Sequence, residues 1–179
     1  MHEQDIEKIL FDAETIRRRV DEVAAEILRA YDGKDLTMVA VLTGSVPFIA
    51  DLIRRLPRPL RLDCIGAASY RGGTKPTELT LTKSLQLDVA NRHVLVVDDI
   101  LDTGATLLRI RDIISSLGAR EVKLCVLLEK EVPHAENIRA DFFGFRIPPH
   151  FVVGYGLDFR EQYRNLPYIA TLKQSVIES

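Results

Sequence analysis

Residues 94–106, Val94-Leu95-Val96-Val97-Asp98-Asp99-Ile100-Leu101-Asp102-Thr103-Gly104-Ala105-Thr106, constrain this chain more than any other stretch. Val94 to Val97 are valine and leucine only and predict a short buried strand. Two carboxylates stand at its end, followed by a glycine-bearing loop and an apolar-periodic run that predicts a helix to Leu117, with Gly118 as its stop. In an open parallel sheet, ligands collect outside the carboxyl ends of the strands, where loop amides and a helix N-terminus face an anion. An acid pair in that place repels a phosphate unless it binds hydroxyls or a divalent cation. The expected ligand therefore has a phosphate at one end and a diol or Mg²⁺ at the other, and a ribose 5-phosphate meets both demands. A capping turn accounts for Asp102 or Thr103 but leaves two further acids on an apolar strand end without a reason.

The 179 residues suffice for one domain with a buried core. At 46% hydrophobic and 28% charged, the composition is that of an ordinary soluble globular chain. Lysine and arginine number 24 against 26 acids, with no block of like charge, so neither nucleic acid nor a membrane surface is expected as a partner. Gly44, Pro47 and Asp51 interrupt the richest apolar stretch, and the N-terminus is too charged for a signal peptide, which makes the cytoplasm the expected address. Cys64 and Cys125 lie in apolar runs and read as small core residues. His2, His93, His134 and His150 have no ligand spacing, so no structural zinc is expected.

Apolar residues recur at helical spacing from Asp12, a candidate N-cap, to Tyr31, with Gly33 beyond. Leu36 to Leu42 predicts a buried strand, Thr43-Gly44-Ser45 a loop, and the run to about Leu56 a helix ended by Pro57 and Pro59. A further strand is expected over Leu60 to Ala68. Ser69 to Thr77 is rich in Gly, Lys, Thr and Pro, and Leu79 to Leu87 alternates as an antiparallel ribbon does, which suggests a mobile flap. Val122 to Leu128 predicts another strand. Strands alternating with helices give an α/β chain with a doubly wound, mainly parallel sheet. Phe142 to Tyr155 and Tyr168 to Thr171 read as short β segments of a small lobe over the sheet's carboxyl edge.

The stretch from Val94 to Thr106 resembles the phosphoribosyl-pyrophosphate (PRPP) signature of the type I phosphoribosyltransferases: a hydrophobic strand, two acids and a D-T-G-x-T loop. Leu42-Thr43-Gly44-Ser45, Ser69-Tyr70, Leu127-Leu128-Glu129-Lys130 and the run from Asp141 to Asp158 narrow the likeness to the hypoxanthine-guanine phosphoribosyltransferases, over about residues 36–172. The resemblance implies the type I fold: a single domain over residues 1–179, with a small hood from the N- and C-terminal segments and a mobile flap opened by Ser69 and Tyr70.

Carried over to this numbering, the resemblance implies that Asp98 and Asp99 hold the ribose hydroxyls. Asp102 would sit against purine N7 as the catalytic group, and Asp102, Thr103, Gly104, Ala105 and Thr106 would bind the 5-phosphate. Lys130 would donate to the 6-oxo group, Phe151 would stack on the base, and the Val152 backbone would read the N1 and C2 edge. Asp158 would hold Mg²⁺ through water, with Asp98 and Asp99 near the PRPP-bound Mg²⁺. Arg164 would bind pyrophosphate together with Thr43 and Gly44, whose loop often contains a non-proline cis peptide in the family; the Leu42-Thr43 peptide is expected to be cis, or able to become cis when pyrophosphate binds. Thr43 stands where the family often has lysine, which is expected to weaken pyrophosphate binding while the loop's backbone amides remain; Ala105 likewise replaces a frequent lysine in the phosphate loop, where Thr103, Gly104 and Thr106 are expected to keep the amide cradle.

The implied reaction joins hypoxanthine or guanine to PRPP, giving IMP or GMP and pyrophosphate, in a homodimer or homotetramer. A xanthine-preferring enzyme is the runner-up. A nucleotide-sensing, RNA-binding regulator of the same fold would need a basic face, and the scattered cations of this chain predict none.

Overall fold

The computed structural model describes residues 2–69, 79–135 and 138–178. After a 3-10 turn at His2–Asp5 come β1 (Ile6–Phe11), α1 (Ala13–Ala30), β2 (Thr37–Leu42), α2 (Val46–Ile53), β3 (Arg61–Ser69) and β4 (Leu79–Lys83). Then follow β5 (His93–Leu101), α3 (Ala105–Ser116), β6 (Glu121–Lys130), β7 (Phe142–Ile147), β8 (Val152–Val153), β9 (Ile169–Leu172) and α4 (Gln174–Ile177).

Six strands form one sheet in the order β4-β3-β2-β5-β6-β7. All are parallel except β4, which pairs antiparallel with β3 at the edge. The apolar runs of β2 and β5 suit strands covered on both faces. Because successive side chains alternate, Met38, Ala40, Leu95 and Val97 enter one core with α1 and α2, while Val39, Val41, Val94 and Val96 enter another with α3. The sheet is thus wound on both faces, as the alternation of strands and helices predicts.

On α1, Ile16, Val20, Val23, Ala24 and Ile27 fall on one stripe and are buried. Asp12 caps the helix, accepting from the Thr15 amide at 2.7 Å. The chain therefore leaves β1 and enters α1 through a fixed corner.

The tail departs from the pattern expected of it. Phe142–Ile147 is not part of a lobe; it is β7, parallel to β6 at the edge of the main sheet. Gly144 looks like a break in sequence, yet it lies within β7 where a Cβ would stand 2.4 Å from the Leu127 carbonyl oxygen. Glycine inside a strand marks such a close approach. Arg19 of α1 donates to the Phe143 and Gly144 carbonyls, each at 2.7 Å, and so covers this edge.

A separate antiparallel sheet has the order β1-β9-β8. No strand is legible before α1, because the pairing of β1 with β9 is irregular between Ile6 and Lys8 and again between Ile9 and Phe11. Each irregularity breaks the two-residue alternation that marks a strand. The expected ribbon over Leu79 to Leu87 ends at Lys83, and the amides of Gln86 and Leu87 bond to the Asp63 carboxylate instead. Ser69 is the last residue of β3; Tyr70 and the rest of the expected flap, through Thr77, lie outside the described residues.

Candidate active site

The carboxyl ends of β5, β6 and β2 gather most of the residues singled out in the sequence. Strand β5 runs through both acids to Leu101, longer than the four apolar residues alone predict. Gly104 is the N-cap of α3 with φ of 84°, and a Cβ there would stand 2.5 Å from Ile138 Cγ2. Glycine is therefore required twice, by conformation and by space. A cleft of about 240 Å³ opens before α3, lined by Asp98, Asp99, Ile100 and Asp102 to Leu107. A helix N-terminus and its loop amides suit an anion there.

Asp98 is buried, and its carboxyl is pushed well above the usual carboxylate range by that burial and by the charge of Asp99. Burial also raises Asp99, against hydrogen bonds with the Asp98 side chain and the backbone and the opposing charge of Arg164. The Asp99 amide donates to Asp98 Oδ1 at 2.9 Å. Two adjacent, desolvated carboxylates in a cleft are the sort of arrangement that functional sites maintain.

On the β2 side, the Leu42–Thr43 peptide is cis, as expected. Ser45, fully buried, donates its hydroxyl to the Val41 carbonyl. A Cβ on Gly44 would stand 1.8 Å from Asp99 Oδ2, so this glycine lets the loop backbone meet the acid pair. From the other side Gly156 abuts the same residue. Its carbonyl accepts from Arg164 Nη1 at 2.8 Å, and Arg164 Nη2 lies 2.8 Å from Asp158 Oδ1. Asp158 Oδ2 accepts from the Glu161 amide at 2.9 Å, which folds the turn back so that Asp158 and Arg164 meet.

Lys130 ends β6, and its ammonium lies 2.7 Å from Asp102 Oδ2. Val152, at the start of β8, is buried, whereas Phe151 before it is 45% exposed. The Phe151 ring meets Phe159 edge to face, with centroids 5.5 Å apart. A larger cleft, about 430 Å³, lies at the amino ends of β2 and β3 among Lys34, Arg58 and Arg61 and touches none of these residues.

The phosphoribosyl transferase domain pattern matches residues 8–160. The chain belongs to the phosphoribosyltransferase family. It is 40% identical to the hypoxanthine-guanine phosphoribosyltransferase of Streptococcus pneumoniae (strain R6) over 177 residues, 98% of each chain. The structure of a hypoxanthine phosphoribosyltransferase from Staphylococcus aureus superposes with a TM-score of 0.91 at 41% identity, covering 97% of this chain and 95% of that one. A solved hypoxanthine-guanine-xanthine phosphoribosyltransferase gives a TM-score of 0.85 at 35% identity, over 97% and 98% of the two chains.

The geometry of this phosphoribosyltransferase also includes residues that the sequence did not single out. Phe159 joins Phe151, and Gly156 wedges against Gly44; the Gly154-Tyr155-Gly156 spacing was the available signal for a close approach. His134, Ala135 and Ile138 touch the loop from Asp102 to Gly104. Nothing in local pattern marks these three, because the contact spans about thirty residues of chain.

Proposed function

We propose that this chain transfers the 5-phosphoribosyl group of PRPP to N9 of hypoxanthine or guanine, forming IMP or GMP and releasing pyrophosphate. The contact between Lys130 Nζ and Asp102 Oδ2, 2.7 Å apart beside the cleft, carries the choice of base. A 6-oxopurine presents an acceptor, O6, next to a donor, N7–H, along one edge. An ammonium that only donates and a carboxylate that only accepts, held side by side, complement that edge.

In this reading Asp98 and Asp99 take the ribose hydroxyls, and the amides and hydroxyls of Asp102, Thr103, Gly104, Ala105 and Thr106 take the 5-phosphate. Phe151 stacks on the base and the Val152 backbone reads its N1 and C2 edge. Arg164, Thr43 and Gly44 receive pyrophosphate. Breaking the anomeric C–O bond leaves oxocarbenium character on the ribose and negative charge on the departing group, which Arg164 offsets electrostatically. Asp102 takes or shares the N7 proton, raising electron density at N9 as the N9–C1 bond forms. A flap opened by Ser69 and Tyr70, which the resemblance implies, would exclude water that competes for the sugar cation.

Mg²⁺ belongs to the proposal. The adjacent, desolvated carboxylates of Asp98 and Asp99 form an all-oxygen donor set suited to a hard cation shared with substrate oxygens. Asp158 would add a contact through water. Among the described residues no cluster of three or more His, Cys, Asp or Glu forms a protein-only cage, so the remaining ligands would be substrate and water oxygens. A cation bound there would neutralise charge on the pyrophosphate.

The proposal extends to a single-domain cytoplasmic enzyme working as a homodimer or homotetramer. Among the described residues no helix is long and apolar enough to cross a membrane. A xanthine preference is the second reading, favoured by the likeness to the hypoxanthine-guanine-xanthine enzyme. Pyrophosphate release from PRPP and Mg²⁺ with hypoxanthine, guanine or xanthine tests both. Turnover with the first two supports the proposal, xanthine turnover alone promotes the second, and no turnover with any rejects both.

A further inference from the structure

The phosphate loop is held from behind. Nδ1 of His134 lies 2.6 Å from the Asp102 carbonyl oxygen, and the Ala135 amide donates to the Thr103 carbonyl at 2.6 Å. A carbonyl only accepts, so the proton sits on Nδ1 of His134. Ile138 occupies the space beside Gly104 that a larger residue would need. Two consecutive carbonyls and the following glycine are thus fixed against one short segment.

A peptide unit is planar, and in the trans form its C=O and N–H point in opposite directions. Pinning the Asp102 and Thr103 carbonyls to residues 134–135 therefore turns the amides of Thr103 and Gly104 the other way. Among the described residues neither amide has a hydrogen-bond partner, and both residues line the cleft before α3. Backbone N–H groups left unpaired at a site are donors waiting for an acceptor.

We propose that His134 is a positioning residue for this loop, setting the Asp102–Thr103 peptide plane so that the Thr103 amide meets a phosphomonoester. The inference rests on the reading of Asp102 to Thr106 as the 5-phosphate cradle. It predicts an effect on the phosphorylated substrate rather than on the base. A role in general stability alone would move both substrates together.

The test uses the full chain with His134→Ala and His134→Asn, the latter placing an amide donor where Nδ1 stood. KM is measured separately for PRPP and for hypoxanthine, and the affinity for ribose 5-phosphate by calorimetry. His134→Ala is expected to weaken PRPP and ribose 5-phosphate about 10-fold, with hypoxanthine KM changed less than about twofold, and Asn is expected to recover most of the loss. Equal effects on both substrates, unchanged ribose 5-phosphate affinity in the Ala variant, or an Asn variant no better than Ala overturns the inference while leaving the cradle intact. Wild-type protein that binds no ribose 5-phosphate overturns the cradle and the inference together. Loss of ribose 5-phosphate affinity in a chain that uses neither hypoxanthine nor guanine supports His134 and rejects the choice of base.

Discussion

A Cβ on Gly156 would stand 1.9 Å from the carbonyl oxygen of Gly44, which makes the C-terminal segment and the β2 loop touch backbone to backbone. Gly156 also has φ of 105°, a conformation that residues with a side chain rarely hold. Gly156→Ala should add roughly 1–3 kcal/mol of backbone strain to a clash that only backbone movement relieves. Urea unfolding is expected to show a loss of about 2 kcal/mol or more, and, on the proposed pyrophosphate role of Thr43, Gly44 and Arg164, pyrophosphate affinity should fall because Gly156, whose carbonyl holds Arg164, moves away from Gly44. Wild-type stability in this variant would show that the approach is soft.

Asp98→Asn is expected to stabilise the free protein while weakening PRPP. Burial and the Asp99 charge raise the Asp98 carboxyl above its ordinary range in the folded state. Between its unfolded and folded values the folded chain holds more protons, so stability falls as pH rises through that interval. Asparagine removes the ionisable group that burial disfavours in its charged form and keeps an oxygen for the Asp99 amide. A Tm increase on the order of 2–4 °C at pH 7 would correspond to about 1 kcal/mol, and a lower Tm would contradict the account.

How much of this was legible in sequence follows from the range of the interactions. The β5 acids, the D-T-G-x-T loop and the stripe on α1 are local, and their pattern alone gives the order of strand, loop and helix, although β5 runs on through the acids to Leu101. Gly144 reads as a break in the sequence because a break and a close approach call for the same residue, and only the neighbouring Leu127 carbonyl distinguishes them. β1 was hidden by its irregular register. The hold of His134 on Asp102 was invisible for a third reason, since 32 residues separate the partners and neither lies on a periodic element.

Asp63 anchors the return from β4. Burial raises its carboxyl, but amides of Leu87, Gln86 and Cys64 and the Lys83 ammonium outweigh that and hold it at about 2. A lowered folded value gives stability that is present above the ordinary 3.8 and lost as pH falls through 2. Asp63→Asn should therefore cost about 2 kcal/mol at pH 7, with the gap to wild type narrowing as pH falls below 4. Urea titrations across this range check it, and a gap that is constant with pH would assign the cost to packing instead.

Asp102→Asn should leave fold and PRPP affinity nearly intact, because the backbone of the loop is held by His134 and Ala135 rather than by the carboxylate. If Asp102 handles the N7 proton, kcat falls by roughly 10²- to 10⁴-fold. Steady-state kinetics with hypoxanthine and with guanine decide the matter. Near-normal kcat with either base would remove Asp102 from the chemistry and leave it as the partner of Lys130.

Base selectivity should follow hydrogen-bond polarity at two edges of the ring. Lys130 is 15% exposed at its side chain and can only donate, so in the proposed site it would meet a 6-oxo group and would leave the 6-amino group of adenine facing an ammonium. Sites of this kind reject the mismatched base by roughly 10⁴-fold or more. At C2, backbone carbonyls near Val152 and Asp158 should accept from the amino group of guanine, tolerate the hydrogen of hypoxanthine and repel the 2-oxo group of xanthine. The expected order of kcat/KM is guanine and hypoxanthine well above xanthine, with adenine below detection. Lys130→Met tests the donor directly, since it keeps the length of the chain and removes the ammonium. It should lower kcat/KM for hypoxanthine and guanine and shrink their margin over adenine. A variant that keeps the full margin would move the selectivity elsewhere, and efficient use of adenine by the wild-type chain would reject the role of Lys130.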